Sequence, residues 1–137
     1  MKHLLTLALI AIAPVAFAQC ELPATVAGKT FTNAVASGYS PDNPNAGNIV
    51  RLELDQSTYQ LHLLHLGQVV HGTYVYQRLA DNVGQLSMHE AFGGESTEYK
   101  LTLICVSPWA GTFVYTQERG AIKPNIRQNT GRNTLQG

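Results

Sequence analysis

The stretch "IVRLELD", Ile49 to Asp55, sets Val50, Leu52 and Leu54 on one side of an extended chain and Arg51, Glu53 and Asp55 on the other. A hydrophobic period of two marks a strand with one face buried. The pattern recurs in "TYQLHLLH" (58–65), which aligns Tyr59, Leu61 and Leu63, and in "GQLSMHE" (84–90), which aligns Leu86 and Met88. "TEYKLTLICV" (97–106) aligns Tyr99, Leu101, Leu103 and Cys105. A first strand runs from Thr30 to about Ala36, and a late one covers "GTFVYTQ" (111–117). In the late strand Phe113 and Tyr115 share one face and Thr112, Val114 and Thr116 the other, and alternation leaves open which faces the core. No stretch after the first eighteen residues carries a helical period, so the chain reads as all-β.

Short turns join these strands. Pairing about Gly93-Gly94 sets Met88 opposite Tyr99 and Leu86 opposite Leu101, and the apolar faces agree. Gly67 in "HLGQ" predicts a two-residue hairpin centred on Leu66-Gly67 or Gly67-Gln68, the second suiting a type II′ turn. "SPWA" (107–110) is another turn, and the twelve-residue polar stretch Ser37–Asn48 forms a long loop. Seven short strands in a meander must close or be covered to protect their edges. The expectation is a small antiparallel up-and-down barrel of about seven or eight strands, with a β-sandwich as the alternative.

Residues 1–18, "MKHLLTLALIAIAPVAFA", have a basic start at Lys2, an apolar run from Leu4 to Ala13 and small residues at Ala16 and Ala18. That is the pattern of a signal peptide cleaved after Ala18, too short to span a membrane with ease. The mature chain is then expected in the periplasm or secreted, with no membrane span. In such a compartment the only two cysteines, Cys20 and Cys105, are expected to form a disulfide. Charge is uneven: all nine acids lie at or before Glu118, whereas Arg119, Lys123, Arg127 and Arg132 face no acid after it. Residues 119–137 show no hydropathy period and are read as a disordered basic tail, which leaves 19–118 as the barrel domain.

Three histidines, His62, His65 and His71, crowd into ten residues. Hairpin parity puts Tyr59, Leu61, Leu63 and His65 on one face with Val70, Gly72, Tyr74 and Tyr76. His62, His71 and His89 point the other way. The set does not converge, and zinc needs three or four ligands, so no metal and no cofactor is expected. Glu90, Glu95 and Glu98 about the glycine turn read as a solvated acidic tip. There is no GxSxG, HExxH, P-loop or dinucleotide fingerprint, which argues against an enzyme. No basic face interleaved with aromatics points to nucleic acid.

"ATVAGKTF" (24–31), "HGTYVYQR" (71–78) and "YKLTLICVSPWAGTFVY" (99–115) resemble the small exported bacterial barrels of the calycin-like, lipocalin-like kind. The lipocalin pattern of glycine followed two residues later by tryptophan is not met, because Gly28 is followed by Thr30. The resemblance implies a barrel and a possible cavity, and transfers no catalytic residue. The expected function is non-enzymatic binding of a small apolar or amphipathic ligand inside the barrel. Tyr59, Leu61, His65, Tyr74, Tyr76, Met88, Tyr99 and Leu103 are the expected ligand-binding residues. The alternative is a protein–protein module, an inhibitor of a secreted hydrolase or an envelope assembly component, working through loops that carry Tyr39 and Trp109.

Overall fold

Period-two strands with one apolar face bury that face most completely when the sheet curls onto itself, and this chain does so. The computed structural model describes residues 20–137; residues 1–18, read from the sequence as a signal peptide, and Gln19 lie outside the described residues. Its strands are β1 (Thr30–Val35), β2 (Ile49–Leu54), β3 (Thr58–Leu63), β4 (Gln68–Ala80), β5 (Val83–Phe92), β6 (Glu95–Ser107), β7 (Ala110–Arg119) and β8 (Arg127–Gln136). Each pairs antiparallel with the next and β8 pairs with β1, giving a closed eight-stranded up-and-down barrel.

The eighth strand is the main departure from the sequence reading. The segment expected to be a disordered tail hydrogen-bonds to β7 along one edge and to β1 along the other, so the barrel runs to Gln136 and does not end at Glu118. Its inward positions are Arg127, Asn129, Gly131, Asn133 and Leu135, and its outward ones are Gln128, Thr130, Arg132, Thr134 and Gln136. Both faces are largely polar, which erases the hydropathy alternation that betrays a strand. Order comes instead from two backbone ladders and from side-chain amides: Asn133 donates to the Thr112 carbonyl (3.4 Å) and Asn129 to the Asp42 carbonyl (3.4 Å).

Pairing around Gly93-Gly94 is as the sequence predicts, with Met88 opposite Tyr99 and Leu86 opposite Leu101. Both glycines have positive φ (60° and 81°), as a type I′ hairpin turn requires. The β3–β4 connection is longer than expected. Leu63 pairs with Gln68, and the turn holds four residues, Leu64–Gly67, with the Leu66 and Gly67 amides both donating to the Leu63 carbonyl (3.0 and 2.9 Å). The register moves by an even number of residues, so every side chain keeps its expected face.

One end of the barrel is closed by packed side chains and leaves a void of only about 20 Å³. The segment before β1 folds across it, placing Leu22 and Val26 in the core with Phe31, Leu52, Leu86 and Leu103. The Leu22 amide donates to the Asp81 carbonyl (2.8 Å), the Gly28 amide to the Leu54 carbonyl (2.8 Å), and the Tyr76 hydroxyl to the Pro23 carbonyl (2.9 Å). The expected disulfide joins Cys20 to Cys105 of β6, tying this plug to the wall. In a chain-entropy picture, closing a loop of 85 residues contributes about 4–5 kcal/mol.

Aromatic rings occupy the space beside glycines of the neighbouring strand, Tyr59 at Gly72 and Phe113 at Gly131. A Cβ at Gly131 would meet both the Phe113 ring and the Ala34 carbonyl oxygen. Gly131→Val is expected to destabilise the barrel by about 2–3 kcal/mol in urea unfolding, the cost of overpacking against backbone. At Gly38 an added Cβ meets no atom within 4 Å, and Gly38→Ala should stay within about 0.5 kcal/mol of wild type.

Candidate functional site

In an up-and-down barrel alternate connections fall at the same end, so the β1–β2, β3–β4, β5–β6 and β7–β8 connections converge opposite the plug. Beneath them lies a cavity of about 150 Å³. Its walls are mainly apolar, from Val50, Leu61, Leu63, Leu101 and Phe113, and its rim includes Asn48, His65, Leu66 and Ile122.

Against this apolar wall stand a few polar groups held in fixed places. Glu90, only 8% exposed, follows Leu86 and Met88 inward on β5. Its Oε2 accepts from the Tyr59 hydroxyl (2.6 Å) and, at 3.5 Å, from the Tyr99 hydroxyl. Burial raises the Glu90 carboxyl above its ordinary range, and the two tyrosine hydrogen bonds oppose that rise. The phenols of Tyr59 and Tyr99 are pushed well up, first by burial and then by the Glu90 charge.

A stacked column leads from this acid to a cation. The Tyr99 ring lies 4.7 Å from the Tyr115 ring, tilted by 33°, and the Arg127 guanidinium sits 4.8 Å from the Tyr115 centroid. Arg127 is 5% exposed, and its Nε and Nη1 have no hydrogen-bond partner. Burial lowers its pKa, with Tyr115 and Asp42 acting the other way. The Tyr115 hydroxyl donates to Oε1 of Gln117 (2.6 Å). Gln117 Nε2 in turn donates to the carbonyls of Ile122 (3.0 Å), Pro124 (3.2 Å) and Asn125 (3.0 Å), pinning the β7–β8 connection over the mouth.

Of the residues expected to bind a ligand, Leu61, His65 and Tyr99 line the cavity. Tyr59 contributes as the donor to Glu90. Tyr74, Tyr76, Met88 and Leu103 do not line it: Tyr74 hydrogen-bonds the Asp55 carbonyl, Tyr76 holds the plug, and Met88 and Leu103 fill the core. Their inward facing is as expected, but their depth along the barrel puts them in the packed half. Phe113 and Tyr115 are the inward pair of β7.

The acidic tip also needs correction, because Glu90 is buried and only Glu95 and Glu98 remain outside, paired with Lys123 (3.6 Å) and Arg119 (2.9 Å). Three functional candidates escaped the sequence reading: Glu90, Gln117 and Arg127. Parity would have found two of them, since Glu90 continues the Leu86–Met88 face and Gln117 the Phe113–Tyr115 face.

The histidines stay apart. His62 faces outward 3.3 Å from Glu53, His71 lies opposite Gln60, and His89 sits 3.4 Å from Glu98. Among the described residues no group of three or more His, Cys, Asp or Glu side chains is arranged to hold a metal ion. Tyr39 (78% exposed) and Trp109 (67%) are both open to solvent, but they lie on the β1–β2 connection and the β6–β7 turn, at opposite ends of the barrel.

A carboxyl whose folded pKa is raised binds its proton more tightly in the folded state. Its stabilising contribution is therefore complete below the unfolded value and is lost as pH rises through the raised folded one. Glu90→Gln keeps an acceptor for Tyr59 and carries no charge. The Tm of this variant relative to wild type should climb as pH rises above the ordinary carboxylate range. A difference that stays flat with pH would contradict the assignment of Glu90 as a buried, destabilised anion.

No family model matches this chain, and neither a curated protein nor a solved structure shows significant similarity to it.

Proposed function

We propose that this protein is an exported, calycin-like, non-enzymatic barrel that binds a small amphipathic ligand in its interior. The observation that carries the reading is the uneven filling of the barrel. An eight-stranded barrel can be packed solid or can hold one small ligand. Here the plugged half keeps a void of only about 20 Å³, whereas the opposite half keeps a larger apolar cavity with a few convergent polar groups, the composition of small-molecule sites. A volume of about 150 Å³ matches a guest of roughly benzene size, so a longer ligand would reach out between the rim loops. The disulfide is compatible with an oxidising compartment and supports export.

Native mass spectrometry of protein purified gently from its export compartment tests this reading. The expected mass is that of the chain cleaved after Ala18, less two hydrogens, plus an adduct lost on unfolding. Leu61→Trp and Leu63→Trp fill the cavity and should remove the adduct while the circular dichroism and Tm of a folded barrel persist. Bare wild-type protein that also takes up no added small amphiphile would refute it.

Trp109 favours a second reading. A tryptophan two-thirds exposed at a turn tip, beside an equally exposed Val106 (68%), suits a protein contact at the plugged end. If that reading holds, Trp109→Ala should lose a partner captured from an envelope extract, whereas Leu61→Trp should keep it.

A further inference from the structure

Burying a charge without a partner costs several kcal/mol, so buried cations in folded proteins are paired. Arg127 breaks this rule inside the cavity. Two of its three guanidinium nitrogens, carrying three of the five N–H donors, have no acceptor. Among the described residues no acid comes within ion-pair distance of it. Asp42, the one acid that acts on it electrostatically, sits on the exposed β1–β2 connection. The Tyr115 ring supports the guanidinium plane from one side, which fixes its direction without using its donors. Asn33, 4% exposed and lining the same cavity, has an unpartnered Oδ1.

We infer that the ligand of this barrel is a monocarboxylate, seated with its carboxylate on Arg127 and its apolar body along the leucine wall. The inference rests on the cavity being the binding site. A planar carboxylate matches the planar fork of a guanidinium. Its single negative charge neutralises the single buried cation. A phosphate monoester would bring a second negative charge into a space already bordered by Glu90. The Glu90 carboxyl, held by Tyr59 and separated from Arg127 by the stacked tyrosines, marks the other pole of the cavity and gives an orientation to the guest.

The test is isothermal titration of mature, disulfide-bonded protein with octanoate, 1-octanol and octyl phosphate near neutral pH, where octanoate is ionised and Arg127 is charged. Octanoate should bind about tenfold to a hundredfold more tightly than octanol, the range of a charge-assisted hydrogen-bonded pair, and more tightly than octyl phosphate. Arg127→Met should erase the preference for octanoate over octanol. Arg127→Lys, which keeps the charge and loses the fork, should fall between. The wild-type comparison stands even if either variant does not fold.

Equal affinity for octanoate and octanol would overturn the carboxylate inference and leave the cavity reading standing. Tighter binding of octyl phosphate would overturn it in favour of a phosphate ester. Binding of none of the three would overturn both the inference and the cavity reading beneath it.

Discussion

Six paired positions, Thr30 to Val35 against Gln136 to Gly131, join the first strand of this protein to the last. Without that seam the same strands would form an open sheet with two edges, each a row of unpaired amides and carbonyls available to another chain. With it, strand number fixes the width of the interior to little more than one layer of side chains. The plug, the cavity and the buried polar column all exist because this narrow space must be filled, or left empty, by the inward residues of eight strands.

The interior divides its work along the barrel axis. Toward the plug it is a hydrophobic core, cross-linked by the disulfide and by tyrosine hydroxyls that reach backbone carbonyls. Toward the mouth the inward residues become Glu90, Gln117, Asn129 and Arg127 among leucines and aromatics. Polar groups in such a place are costly unless satisfied, and most are: Glu90 by Tyr59, Gln117 by three loop carbonyls, Asn129 by the Asp42 carbonyl. Arg127 stands out as the charged group of this set, buried with two guanidinium nitrogens unpartnered.

Much of this architecture was legible in the chain itself. Alternation located β2, β3, β5 and β6, and agreement of apolar faces about Gly93-Gly94 gave the β5–β6 register residue for residue. Parity kept His62 and His71 off the inner face even though the turn at Gly67 holds four residues instead of two. Two kinds of information were not local. Asn129, Gly131 and Asn133 are ordered by ladders to β1 and β7, strands distant or adjacent in sequence whose edges no composition rule supplies. Depth was equally hidden. Tyr74 and Leu61 have the same parity, but only strand tilt and the position of the plug decide that one packs the bottom and the other lines the cavity.

The plug has a kinetic meaning for whatever occupies the interior, water included. Because Leu22, Val26 and the disulfide seal one end, traffic has a single route, past His65, Leu66 and Ile122 at the opposite rim. Arrival and departure must use the same door, so neither can be sped without the other unless the interior contacts also change. If a guest binds as proposed, the rim loops set how fast it exchanges, whereas the wall and its charged groups set how much one guest is preferred over another. The two properties reside on different residues of the same small barrel, and substitutions can alter them separately.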